Sequence, residues 1–288
     1  MQKISFVLLL VFLASCGLSK KEKKPDSADL RIVSVSKHLT EILFALGKGH
    51  NIVACDLTSS YPDSAKMLPK VGYHRALNAE GIISMNPDIV IHSNDIGPLT
   101  VLPQLEKLGL KTMAFKGANT LDSAKMLISA LGAYFGVPQN AVTINNKIDA
   151  DMLTVAKERA LHSDTPSVMI IHYGQANNVF FVMSGRKGAG DQMIESAGAK
   201  VAKYDAKGAR QISAEAVALA NPDIIIATDF GFDKMGSAEN FKSIPGVALT
   251  NAAKNNRIYR FEEHDLVYFG PRSGENILKL MQLIHPKK

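Results

Sequence analysis

Asn78-Ala79-Glu80-Gly81-Ile82-Ile83-Ser84-Met85-Asn86-Pro87-Asp88-Ile89-Val90-Ile91 returns 135 residues later as Ser213-Ala214-Glu215-Ala216-Val217-Ala218-Leu219-Ala220-Asn221-Pro222-Asp223-Ile224-Ile225-Ile226. Each copy reads as a short helix, an Asn-Pro-Asp turn and an apolar, β-branched strand. Proline stops the helix, and the residue before it is expected to be extended. Ile32-Val33-Ser34-Val35 set against Ser167-Val168-Met169-Ile170 keeps the same offset and the same strand character. The repeat therefore spans a whole lobe, and the chain reads as two lobes of one design.

Outward from the first copy, β-branched runs alternate with helical patterns, which predicts an α/β fold with a parallel sheet flanked by helices. Strands are predicted at Arg31–Val35, Asn51–Cys55, Asp88–His92 and Lys111–Phe115, and helices at Leu39–Leu46, Thr100–Leu108 and Leu121–Phe135. The second lobe carries an insertion at Gly174–Gly188, where the apolar Val179–Met183 between Asn177-Asn178 and Ser184-Gly185 predicts a β-hairpin. Between the lobes, Pro138 opens a run to about His162 with Ile144, Ile148, Met152 and Val155 at helical spacing. A helix of that length is about 37 Å long and reaches from one lobe to the other. The expected domains are a leader at 1–15, a tether at 16–29, a first lobe at 30–137, the linking helix at 138–162 and a second lobe at 163–288.

The 288 residues are 46% hydrophobic and 21% charged, enough to bury two cores, so disordered and fibrous classes are excluded. The formal charge of +6 resides at the ends. Residues 1–25 supply +4, and Lys287 with Lys288 the remainder, which leaves a neutral body and no basic groove for nucleic acid. Cys16 and Cys55 are too few for a thiolate zinc site or a disulfide framework. Cys55, ending an apolar strand, is expected to be a buried, inert thiol.

Met1–Lys3 followed by the apolar Ile4–Ala14 has the form of a secretory signal, too short to span a bilayer. Leu13-Ala14-Ser15-Cys16 resembles the lipobox of bacterial lipoproteins. That resemblance implies lipidation of Cys16 and anchoring at the periplasmic face of a bacterial membrane, with the lysine-rich 17–29 as a flexible tether.

A wider resemblance rests on Leu39-Thr40-Glu41-Ile42-Leu43-Phe44-Ala45-Leu46-Gly47, Tyr61-Pro62 and Lys70-Val71-Gly72-Tyr73-His74-Arg75-Ala76-Leu77-Asn78-Ala79-Glu80-Gly81-Ile82. Gly246-Val247-Ala248-Leu249-Thr250 and Tyr268-Phe269-Gly270-Pro271-Arg272 extend it. These segments resemble the haem-binding proteins of bacterial ABC importers, within a group that also carries cobalamin and ferric siderophores. The resemblance implies two similar lobes joined by one long helix, the class III periplasmic binding protein architecture, with haem held between them and passed to a permease dimer with its ATPase.

Haem needs an axial ligand, apolar walls and donors for its two carboxylates. The family's axial tyrosine falls on Tyr73, with Arg75 as the cation that favours its phenolate. His74, beside it, competes for the iron. In the second lobe His172 or Tyr173, ending a strand, is a second ligand or a pocket wall. Arg272 matches a family arginine and meets a propionate or forms a salt bridge. Tyr268 and His264 are further cleft residues, and Met183 in the hairpin is a flexible apolar wall. His38 and His92 adjoin apolar strands and read as structural histidines. In the family, glutamates at the places of Glu80 and Glu215 resemble docking posts for arginines of the permease, while an acidic residue in a first helical turn also favours the helix dipole.

A binding protein that catalyses nothing is thus the leading reading. A ferric siderophore or cobalamin carrier is the alternative, and a lipoprotein enzyme on an α/β fold is a different class. Gly-x-Ser-x-Gly, His-Glu-x-x-His and phosphate-loop motifs are all absent from the sequence.

Overall fold

The computed structural model describes residues 30–175, 177–204 and 211–286; the expected leader, Cys16 and the tether lie outside the described residues. In the first lobe β1 (Ile32–Ser34), β2 (Ile52–Cys55), β3 (Ile89–His92) and β4 (Lys111–Ala114) form a parallel sheet in the order β2-β1-β3-β4. Every residue of β1 and β3 is buried, as central strands covered by helices on both faces require. In the second lobe β5 (Ser167–Gly174), β6 (Val179–Val182), β7 (Lys200–Val201), β8 (Ile224–Thr228) and β9 (Ile258–Phe261) form the second sheet. β7, β5, β8 and β9 are parallel and repeat the order of the first sheet. The predicted hairpin is present: β6 runs antiparallel along the far end of β5, with Val179 opposite Gly174.

Two expectations about the repeat need correction. Ile89 and Ile224 keep the offset of 135, but Ile32 lies opposite Ile89 whereas Val168 lies opposite Ile224. The partner of Ile32 is therefore Val168 and not Ser167, so the first strands are related by 136 residues. One tie sets this register in each lobe: Asp88 Oδ2 accepts from the backbone N–H of Arg31 at 2.8 Å, and Asp223 Oδ2 from that of Ser167 at 2.9 Å. The residues before the prolines are also not extended. Asn86 and Asn221 have φ of 48° and 38°, a left-handed conformation that asparagine tolerates and that ends each short helix before its strand.

The connecting helix Pro138–Arg159 has 22 residues and is about 33 Å long. Ala141, Ile148 and Val155 form its buried stripe, joining the first-lobe core around Ile42 and Leu131 to the second-lobe core around Ile277 and Leu280. The last helix, Ser273–Ile284, packs along it. A Cβ on Gly274 would fall 2.5 Å from Cβ of Asp151, so this close approach requires glycine. Among the described residues no helix is long and apolar enough to cross a membrane.

Candidate ligand-binding site

In parallel sheets ligands gather at the carboxyl ends of the strands, and here those ends face each other across the two lobes. From the first lobe come the start of the helix Lys37–Ala45 after β1, Asp56 after β2, the Tyr73-His74-Arg75 loop and Asp95 after β3. From the second come His172 at the end of β5, the segment after β8, and Glu263, His264, Tyr268 and Arg272 after β9.

Tyr73 and His74 pack ring against ring but differ in exposure. Tyr73 is 41% exposed, whereas His74 is buried, its ring edge-on to the phenol with centroids 4.6 Å apart. His74 Nδ1 lies 3.5 Å from Asp56 and its Nε2 3.6 Å from Asp95. Burial opposes protonation of this imidazole, but the two carboxylates outweigh it and push its pKa up to about 9. His74 in turn holds Asp95 well below the usual carboxylate range, with Ser93 and Arg75 adding to the effect. Asp56, despite its burial, is held low by His74, Ser59 and Thr58.

Both ring nitrogens of His74 face carboxylates, and Arg75 turns to Asp95 at 3.3 Å, so the ring packed against the Tyr73 phenol is that of His74.

His172 and Tyr173 lie on opposite faces of β5, as alternating residues of a strand must. Tyr173 is buried, with its hydroxyl bonded to Asn178 and Lys234 over its ring, which removes it from the cleft. His172 is half-buried between Phe181 and Phe230, with Nδ1 2.9 Å from the Thr228 hydroxyl. Burial lowers its pKa and favours the neutral imidazole. A Thr228 bond at Nδ1 leaves Nε2 as the ring nitrogen for a ligand. Met183 packs against the core that contains Ile170.

The lobes are tied together by ion pairs that the sequence did not reveal. Lys37 pairs with Glu263, and Glu41 accepts from His264 and from Arg272 Nε at 2.9 Å. Arg272 also pairs with Asp265 at 2.6 Å and lies over the Tyr61 ring, 3.6 Å from its centroid. Arg272 is thus engaged between the lobes, not at the surface. Glu41 is buried, which raises a carboxyl pKa, yet His264 and Arg272 bring it below its ordinary value. His38 stacks on Tyr268 at 4.8 Å across the same boundary. Its Nδ1 is 2.8 Å from the Ser36 hydroxyl, its buried Nε2 has no hydrogen bond, and burial lowers its pKa to about 4. Burial likewise raises the Tyr268 phenol. His92 is anchored through Nδ1 to the Ser93 carbonyl at 2.9 Å.

Glu80 and Glu215 are exposed and occupy the second position of the helices Ala79–Ile83 and Ala214–Ala220. Asn78 and Ser213 cap these helices by accepting from the N–H of Gly81 and Ala216. Each helix leads back into a central strand, so its start lies at the rim where the strands end. Cys55 is buried as expected, its thiol pushed up by burial against the pull of Lys70, whose Nζ is 3.0 Å away.

The pattern of the family described as periplasmic binding protein matches residues 32–264. An ABC transporter substrate-binding lipoprotein of Bacillus subtilis, YvrC, is 27% identical over 270 residues, covering 93% of this chain and 82% of the relative. The vitamin B12-binding protein of Vibrio vulnificus is 28% identical over 247 residues, 82% of each chain. Among solved structures, the periplasmic haem-binding protein RhuT of Roseiflexus sp. RS-1 superposes with a TM-score of 0.81 at 32% identity, over 89% of this chain and 98% of its own.

Proposed function

The chain belongs to the periplasmic binding protein family, and from that premise we propose that it is the substrate-binding protein of an ABC importer whose cargo is haem. One observation carries the reading: an exposed phenol, Tyr73, stands where the strand ends of the two lobes meet, with the His74 imidazole against its ring and two carboxylates at that imidazole. A phenolate is a hard anionic ligand for ferric iron. His172, with one nitrogen fixed on Thr228 and aromatic rings on two sides, supplies a second ligand or a wall from the other lobe. Arg272 is the donor for a propionate, which would replace Glu41 on the guanidinium. Glu80 and Glu215 serve as docking posts for the permease dimer, and a lipid on Cys16 holds the protein at the periplasmic face of the membrane. Binding and release suffice for this role, and no catalysis enters it.

Similarity to the vitamin B12-binding protein of Vibrio vulnificus favours a second reading, a corrinoid cargo in the same cleft. Parallel titrations of the full-length chain with hemin and with cyanocobalamin, followed by visible absorbance, separate the two. Hemin is expected to shift its Soret band saturably, and Tyr73→Ala to weaken binding on the order of 100-fold, far more than His74→Ala. Saturable cyanocobalamin binding without a hemin response would replace haem with the corrinoid. Equal losses in the two variants would remove Tyr73 as the axial ligand.

A further inference from the structure

At the far end of the connecting helix, away from the cleft, His162, Asp164 and His285 bring one ligand atom each to within 4.8 Å of one another. We propose that these three side chains bind a divalent transition-metal ion, with zinc the best match, and so staple the end of the connecting helix to the end of the last helix. His162 and Asp164 lie in the segment that follows Pro138–Arg159, and His285 directly follows Ser273–Ile284. The site therefore joins two segments more than 120 residues apart in sequence.

The geometry is that of a nearly assembled site. His285 Nδ1 and Asp164 Oδ1 are 3.3 Å apart. Two ligands at about 2.0–2.1 Å from a tetrahedral zinc stand roughly 3.3 Å from each other, so this pair already spans one edge of the polyhedron. The His162 ring stacks on His285 with centroids 4.3 Å apart and planes at 19°, and its ligand nitrogen lies within 4.8 Å of the other two ligand atoms. His285 is buried, with its Nε2 against the backbone of Gly198. A metal at Nδ1 fixes the tautomer that carries the proton on Nε2.

A cavity of about 550 Å³ opens beside these residues, lined also by Met152, Val155 and Arg159, and leaves room for a water as fourth ligand. The donor set chooses the metal. Two imidazoles and one carboxylate suit zinc and its neighbours, whereas calcium and magnesium demand oxygen ligands.

Calorimetric titration of the full-length, tag-free chain with Zn²⁺ tests the proposal, with Co²⁺ as a spectroscopic probe. One equivalent of Zn²⁺ is expected to bind and to raise the thermal midpoint as its concentration rises. Bound Co²⁺ is expected to show the intense visible bands of a four-coordinate site. His162→Ala and Asp164→Asn, at positions outside the core, are each expected to weaken Zn²⁺ binding at least about tenfold and to abolish the Co²⁺ bands. His285→Ala should do the same but also alters a buried contact, so the other two variants decide. Hemin binding is expected to be unchanged in His162→Ala, which keeps this test independent of the cleft. Absence of saturable Zn²⁺ binding overturns the proposal, as does binding that survives both His162→Ala and Asp164→Asn.

Discussion

Asp56 and Asp95 face the two ring nitrogens of His74 and, against its burial, push its pKa up to about 9. Its folded pKa of about 9 lies above the unfolded value of about 6.5, so the stabilisation is complete below about pH 6.5 and is lost as pH rises through 9. His74→Gln removes this dependence. Unfolding free energies from urea titrations at pH 6.5 and 9.5 are expected to differ by about 1–2 kcal/mol more in the parent than in the variant, after allowance for solvent around Asp95. Parallel pH profiles would show that the imidazole is neutral in the folded protein. The sequence set His74 beside Tyr73 without its partners, since neither Asp56 nor Asp95 is near it in the chain. Residue type and motif singled out Tyr73 and His172 as candidates; only the fold brought together the groups that surround them.

The elements that lead into the central strands were legible because the repeat copies caps as well as strands. Asn78 and Ser213 accept from the third residue beyond them, and Glu80 and Glu215 sit at the same position of the two helices. The offset failed at the first strands, where Ser167 and Val168 are both β-formers and only the tie from Asp223 to the Ser167 N–H fixes the register. Because each acidic residue lies in the first turn of its helix at the rim of its lobe, the proposed docking role calls for a symmetric basic partner. Glu80→Ala combined with Glu215→Ala is expected to leave hemin binding intact and the unfolding free energy within about 0.5–1 kcal/mol of the parent, the value of a dipole contact. Haem uptake by a reconstituted transporter should fall at least about tenfold, with the parent's uptake steeply salt-dependent. Unimpaired uptake would reduce both glutamates to helix-stabilising residues.

For the whole molecule, two features act on the distance between the lobes. The connecting helix, tied into both cores by Ala141, Ile148 and Val155, limits how far they part. The bridges of Glu41 to Arg272 and His264, and of Lys37 to Glu263, hold them together. On the proposed reading haem enters as these bridges open, its propionate competing with Glu41 for Arg272. Glu41→Gln keeps the shape and removes the charge. It leaves Arg272 with Asp265 as its remaining anionic partner, and a broken buried pair costs about 3 kcal/mol. The variant is therefore expected to unfold at lower denaturant while binding hemin faster, because part of the work of parting the lobes is already done. Stopped-flow association rates should rise severalfold, and the scattering radius of gyration should grow only slightly, since the helix still sets the limit. An unchanged association rate would place the Glu41 bridge off the path by which haem enters. A large expansion would mean that the ion pairs, and not the helix, define the span between the lobes.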